Sequence, residues 1–256
     1  MIPQLSELIG DLTFPAYHEP FLGGGSAFFG MPPNGPSFLS DLNSELIHTY
    51  MTVRDDPTGV SRELKRHRNT EEYYYDLRAA RPRADSTKAA RFIFLNHTSY
   101  NGIYRVNQQG RYNVPFGRRD GTPQLPSRED LKAVSLRLQG ATLFSADFAR
   151  CIDSVAEGDL VFLDPPYTVA HNNNNFVKYN QKLFSWEDQV RLSGLVSEIR
   201  ERGAFYILTN AAHASVAKLF EKGDRRIETS RRNSIGGLSA SRGTAIEYLF
   251  TNVSRL

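Results

Sequence analysis

The chain has 256 residues, enough for one α/β domain or one domain carrying a large insertion. Its composition, 40% hydrophobic and 23% charged, is that of a globular protein, and no run of eighteen apolar residues offers a membrane-spanning helix. Residues 1–11 show neither the basic start nor the cleavage pattern of a signal peptide, and the lone Cys151 reads as a small core residue in a reducing cytoplasm.

In chain order, residues 16–21 read as a short strand broken by Gly23-Gly24-Gly25, and residues 37–40 as a second strand ending at Asp41. Residues 43–53 suit a helix. Residues 61–97 look mainly helical with a break at 81–86, and 96–121 read as an ordered loop or hairpin rich in Asn, Gly, Tyr and Arg. Ser127 fits an N-cap for a helix over 127–139, with Glu129 and Asp130 in its first turn. The second half alternates more regularly. Strands are predicted at 160–163, 204–208 and 245–252, and helices at 185–202 and 211–221; Asn172 to Asn175 form a polyasparagine run. The continuous apolar run Leu160-Val161-Phe162-Leu163 suggests burial on both faces. Strands alternating with helices predict a Rossmann-like, doubly wound α/β sheet.

The net charge of +3 hides an uneven distribution. Residues 61–119 carry thirteen Lys/Arg against five Asp/Glu, while the remainder carries eighteen against twenty-three. A basic middle in an acidic frame suggests a polyanion-binding insertion, and a solvated helical surface is the competing reading.

Asp164-Pro165-Pro166-Tyr167 follows directly on the buried strand, so it sits at a carboxyl end, where open α/β sheets bind ligands. Two prolines fix φ and remove two backbone donors. The Asp164 carboxylate and the Pro165 carbonyl can then be aimed at an exocyclic amine, whose lone pair is otherwise delocalised into its ring, and Tyr167 can stack on the base. A proline turn with a capping aspartate is the structural alternative.

Phe21-Leu22-Gly23-Gly24-Gly25 lies between the first strand and a short helical stretch, and its glycines let backbone approach a ligand closely. Asp41 ends the next strand, where an acidic residue can accept from ribose hydroxyls or cap the following helix. No Walker-type Lys-Ser/Thr follows the glycines, so a triphosphate ligand is not expected. No Cys/His cluster offers a metal site.

Together these motifs resemble the Dam-like (D12 class) family of adenine-N6 DNA methyltransferases. The resemblance extends over residues 17–252. It takes in Phe94-Leu95-Asn96-His97-Thr98-Ser99-Tyr100-Asn101-Gly102-Ile103-Tyr104-Arg105-Val106-Asn107 and Gly110-Arg111-Tyr112-Asn113-Val114-Pro115-Phe116-Gly117-Arg118. It continues through Asn175-Phe176-Val177-Lys178-Tyr179, Phe184-Ser185-Trp186-Glu187-Asp188-Gln189, Leu208-Thr209-Asn210 and Arg231-Arg232-Asn233-Ser234-Ile235.

The resemblance implies an S-adenosylmethionine-dependent methyltransferase fold with a mainly helical insertion that recognises double-stranded DNA. The catalytic domain would span 1–55 and 140–256, and the insertion 56–139. Phe21, Gly23 and Gly25 would line the cofactor, Asp41 would bind its ribose, Asp147 and Phe148 its adenine, and Asp164 would lie between cofactor and target amine. The target adenine must leave the duplex stack to react. Tyr100 and Asn101 would fill or orient the space left behind. Arg105 would read a guanine of a GATC-like site, Ile103 and Pro115 would contact a thymine methyl, and Asn113 and Arg118 would complete the DNA surface.

Two departures stand out. Members of the family usually begin with a Trp-Ala-Gly-Gly-Lys-like segment, whereas residues 1–12 here resemble the helix that follows it, and Arg119 stands where a tyrosine is common. An incomplete start, a substitute segment elsewhere and a catalytically impaired DNA-binding homologue are the readings of the first. An N4-cytosine methyltransferase is a further alternative, although that class more often carries Ser before the two prolines.

Overall fold

A computed structural model of the chain describes residues 2–31, 33–107, 109–117, 124–167, 184–232 and 244–253. In order, the elements are α1 (Ile2–Ile9), β1 (Tyr17–Glu19), α2 (Ser26–Gly30), β2 (Ser37–Asp41), α3 (Ser44–Asp55), α4 (Pro57–Leu64), α5 (Glu71–Ala79) and α6 (Asp85–Thr98). Then come α7 (Arg128–Leu138), β3 (Ala141–Ser145), β4 (Leu160–Leu163), α8 (Trp186–Glu201), β5 (Phe205–Ala211), α9 (Ala214–Phe220), β6 (Arg225–Arg232) and β7 (Thr244–Thr251). They form two compact units, Met1–Leu42 with Gly140–Leu256, and Asn43–Gln139.

The first unit is built on a seven-stranded sheet of order β3-β2-β1-β4-β5-β7-β6. The first five strands run parallel, and β7 is antiparallel to both β5 and β6. This is the doubly wound α/β class predicted from the alternation of strands and helices. Strand order reverses between β1 and β4, which makes the carboxyl ends of those two strands the crevice where such sheets bind ligands. All four residues of β4 are buried, as its unbroken apolar run requires of a central parallel strand. Val161, Leu163, Tyr206 and Leu208 pack with Leu192, Val196 and Ile199 of α8 and with Phe220 and Phe250. Each such side chain contributes about 1.5–3 kcal/mol relative to exposure. Cys151 lies in the same core, where burial pushes its thiol up to about 12. A buried pair fixes β1 between its neighbours. His18 Nε2 meets Asp159 Oδ2 at 3.0 Å while its ring stacks on Phe38 of β2.

In the second unit a side-chain cap marks the start of α3, α4, α5 and α7, whereas α6 begins after Ala84 without one. Asn43 accepts from the N–H groups of Glu45 and Leu46, Asp56 from Gly59, and Thr70 from Tyr73. Ser127 and Asp130 form a capping box on α7, at the position expected for that N-cap. The core joins Val60, Tyr74, Phe94, Leu95, Tyr112 and Leu131. The segment after α6 folds back on itself through isolated bridges, Ser99 with Phe116 and Val106 with Tyr112. Tyr74 Oη donates to the Val114 carbonyl at 2.9 Å and holds that segment on the helices.

The structure departs from the sequence reading in several places. β3 and β6 have no counterpart among the predicted strands, and β5 runs on to Ala211, where a helix is predicted to start. α9 begins only at Ala214, because His213 accepts from the Ser215 N–H and sets the cap there. The helical stretch predicted over 61–97 is three helices, since the chain breaks again between Leu64 and Glu71. The division at residues 55 and 56 also shifts. α3 packs on α6 and α7, and Ser135 Oγ donates to the Arg54 carbonyl at 2.7 Å, so residues 43–55 group with the second unit. Among the described residues no helix is long and apolar enough to cross a membrane, and no group of three or more His, Cys, Asp or Glu could hold a metal ion.

Candidate functional site

The carboxyl ends of β1, β2, β3 and β4 carry the loop residues singled out in the sequence. After β1 the chain turns through Gly23 at φ 46° and Gly25 at φ 65°. Both lie in the left-handed region that glycine alone adopts at little cost. A Cβ at Gly23 would meet only the Phe21 carbonyl, at 3.9 Å, so backbone conformation rather than crowding requires glycine there and the loop surface stays accessible to a ligand. The Gly23 N–H donates to Asp41 Oδ2 at 3.0 Å. Asp41 therefore ties the glycine loop to the end of β2, and capping of α3 falls to Asn43 instead.

After β3, Asp147 caps the 3-10 segment Phe148–Ser154 by accepting from the Ala149 N–H. Its Oδ1 also lies 2.6 Å from Arg191 of α8, whose guanidinium lies over the Phe148 ring with Cζ 4.8 Å from the centroid. Phe148 stacks on Phe21 with ring centroids 5.2 Å apart, and Phe184 completes an aromatic trio with both. The structure thus brings Phe21 and Phe148 together as one apolar wall, with the Asp147–Arg191 pair at its rim.

After β4, Asp164 Oδ1 accepts from Thr209 Oγ1 of β5 at 2.5 Å. Pro165 is buried, Asp164 and Tyr167 are half-buried, and Pro166 is exposed. Nearby on β1, Glu19 is 2% exposed and accepts from Tyr17 Oη at 2.7 Å and from the Phe28 N–H at 3.2 Å. Desolvation pushes the Glu19 carboxyl up to about 8, with the charge of Asp164 acting in the same direction and the Tyr17 hydrogen bond against it. A buried, near-neutral carboxyl therefore sits beside the carboxylate of the proline motif.

Sequence reasoning did not single out Glu19, Arg191 or Thr209. Glu19 had a readable signal, a charged residue inside an otherwise buried strand just before the glycine loop. Thr209 lies in the Leu208-Thr209-Asn210 segment of the family resemblance but its role has no local signal, and Arg191 has none at all, because their partners lie 45 and 44 positions away.

In the second unit, Tyr100–Gly102 forms a 3-10 turn in which Asn101 takes φ 56°, a left-handed conformation asparagine tolerates better than most residues. Tyr100 is 48% exposed and its N–H donates to the Pro115 carbonyl at 2.9 Å. Pro115 is exposed, and Asn101, Ile103, Arg105 and Asn113 are half-buried. Arg105 donates from Nε to Asn113 Oδ1 at 2.8 Å and from a terminal nitrogen to the Asn113 carbonyl at 3.1 Å. Arg118, the polyasparagine run, the 175–179 match and residues 233–235 lie outside the described residues.

A family model described as D12 class N6 adenine-specific DNA methyltransferase matches residues 1–235. The chain belongs to this family. Among curated relatives of this D12 chain, a Type II methyltransferase of Lactococcus lactis subsp. cremoris is 32% identical, over 98% of this chain and 91% of that protein. A Type II methyltransferase of Methanocaldococcus jannaschii is 33% identical over 80% of this chain and 77% of its own length. The DNA adenine methylase of Escherichia coli K12 is 29% identical, over 88% and 81% respectively. D12 membership accords with the residues at the sheet's switch point, a glycine loop on β1 and an Asp-Pro-Pro-Tyr sequence on β4.

Proposed function

We propose that this chain transfers a methyl group from S-adenosylmethionine to the N6 amine of an adenine flipped out of double-stranded DNA, within a GATC-like site. The observation that carries the reading is Asp164-Pro165-Pro166-Tyr167 at the carboxyl end of β4, on the strand beside the glycine loop of β1, in a D12 class chain. The residues present fit the cofactor. The left-handed glycines Gly23 and Gly25 leave backbone open to a ligand, Asp41 provides a carboxylate for ribose hydroxyls, and Phe21 with Phe148 forms a wall against which an adenine ring can lie. Asp147 stands at the edge of that wall as an acceptor for the ring amine, paired with Arg191. When bound, S-adenosylmethionine supplies an electrophilic methyl group on a positively charged sulfur.

This chain's own residues align the amine. Asp164 and the Pro165 carbonyl accept its two N–H bonds, which turns its lone pair out of the base plane, and Tyr167 stacks on the base. As the new N–C bond forms and the sulfur–methyl bond breaks to leave a neutral thioether, the nitrogen becomes positive, the fixed Asp164 carboxylate stabilises that charge without reorganising, and one N–H proton is then released to solvent. Most of the acceleration comes from alignment. The unit Asn43–Gln139 supplies phosphate contacts that offset the few kcal/mol of base flipping, at roughly one released counterion per contact. Its exposed Tyr100 takes the space vacated by the base, and Arg105, oriented by Asn113, reads guanine.

The test is incubation with S-adenosylmethionine and random-sequence duplexes, followed by sequencing that identifies modified base and site. N6-methyladenine in GATC-like sites is the expected product. N4-methylcytosine overturns the substrate, a reading the aspartate before the two prolines already disfavours. DNA binding without methylation overturns the activity in favour of a silent homologue.

A further inference from the structure

Parallel pairing places Leu163 of β4 opposite Leu208 of β5, so the next residues, Asp164 and Thr209, lie side by side where β4 ends. Thr209 is 3% exposed, so water does not compete for its hydroxyl. That hydroxyl has one proton and two acceptors within reach, the Leu163 carbonyl at 3.4 Å and Asp164 Oδ1 at 2.5 Å. The carboxylate wins on distance and on charge, since an ionised acceptor takes a hydroxyl proton more strongly than a neutral carbonyl does. Threonine's β-branching leaves few χ1 states in a strand, so the donor itself is fixed. Its neighbour Asn210 faces the other way. The Asn210 side chain donates to Gln189 Oε1 of α8 at 2.9 Å, with both residues fully buried, and this anchors the end of β5.

We infer that Thr209 is a positioning residue for methyl transfer. Its hydroxyl holds one oxygen of Asp164 and so fixes the carboxylate plane and the direction of the other oxygen toward the target amine. The inference rests on the proposed role of Asp164 and deepens it. Chemistry of this kind depends on geometry, and a misplacement of about 1 Å can cost on the order of 100-fold in rate. Without the Thr209 donor the Asp164 carboxylate is held less firmly about its Cβ–Cγ bond, and the pockets for cofactor and DNA are left unaltered. The signature of Thr209 is therefore a loss of kcat with little change in KM.

The test compares single-turnover methylation, S-adenosylmethionine affinity and DNA affinity for wild type, Thr209→Val and Thr209→Ser. Valine keeps the shape and the strand preference but loses the donor. Serine keeps the donor. Thr209→Val is expected to lose about 10- to 100-fold in kcat with both affinities within about twofold of wild type, and Thr209→Ser to recover most of that loss. If the valine variant does not fold, judged by its melting curve, Thr209→Ala against Thr209→Ser makes the same comparison. Wild-type kcat in the donor-free variant, or an equal loss in serine and valine, overturns the inference while adenine methylation by the wild type leaves the function intact. A wild type that transfers no methyl group to adenine overturns the function and, with it, the task assigned to Thr209.

Discussion

The N–H of Gly23 donates to Asp41 Oδ2, so the loop after β1 and the end of β2 are held by one carboxylate. If that carboxylate also binds ribose hydroxyls, its removal has two effects, a lost ligand contact and a loosened loop. Asp41→Ala is expected to weaken S-adenosylmethionine binding by roughly 1–3 kcal/mol, measured by calorimetric titration. Asp41→Asn retains an acceptor for Gly23 and should lose less. Unchanged affinity in both variants limits Asp41 to holding the loop.

Asp164→Ala should abolish methyl transfer while DNA binding stays close to wild type, because the proposed mechanism has Asp164 act on the amine and the other unit hold the phosphates. Asp164→Asn should be less damaging, since its amide oxygen still accepts from the amine when the Thr209 hydroxyl turns to accept from the amide nitrogen and donates to the Leu163 carbonyl instead. Rapid-quench methylation alongside a DNA-binding titration separates the two effects. More than a few per cent of wild-type rate in the alanine variant removes Asp164 from the chemistry.

Glu19 predicts how stability depends on pH. Its folded carboxyl, raised to about 8, binds a proton more tightly than the same group in an unfolded chain, with its ordinary value of 4.5. The favourable contribution is therefore complete below about 4.5 and is lost as pH rises toward and through about 8. Glu19→Gln keeps an acceptor for Tyr17 and Phe28 and removes the ionisation. Relative to that variant, the wild-type protein should lose several kcal/mol, at most about 5, between pH 4.5 and 9, read from chemical denaturation at each pH. Parallel pH curves for the two proteins exclude a buried, near-neutral Glu19.

These features differ in how far the sequence exposes them. β4 was legible because a central parallel strand must be apolar on both faces, and Asp164-Pro165-Pro166-Tyr167 because it ends that strand. β6 was not, since its Arg225, Arg226 and Glu228 are the charges an edge strand uses against unwanted pairing, and they mask the strand pattern. β3 is five residues long with only three of them apolar, too short for periodicity to speak. The Arg191 contact with Phe148 and the Thr209 contact with Asp164 depend on which strand and helix lie side by side, information a local reading of residues does not hold. α3 reads as a helix in any context; that it belongs with the helical unit follows only from its packing on α6 and α7.

Arg105 is held at Nε and at one terminal nitrogen by Asn113, and the Asn113 N–H in turn donates to the Arg105 carbonyl at 3.0 Å. A guanidinium fixed along one edge presents its remaining donors in a set direction, as bidentate contact with guanine O6 and N7 requires, and such a pair discriminates by about 1–3 kcal/mol. Arg105→Ala should therefore relax preference at one base pair more than it lowers overall affinity. Asn113→Ala should do the same to a smaller degree, because it frees the arginine without removing it. Lys65 and Arg68 are exposed, and changing either to Ala should weaken binding to all sequences alike and lower its salt dependence. Methylation rates on a GATC duplex and each single-base variant, at two salt concentrations, distinguish the two kinds of residue. If Arg105→Ala keeps the wild-type preference at every position, guanine is read elsewhere; if Asn113→Ala relaxes preference while Arg105→Ala does not, Asn113 contacts the base directly and its bonds to Arg105 serve the loop alone.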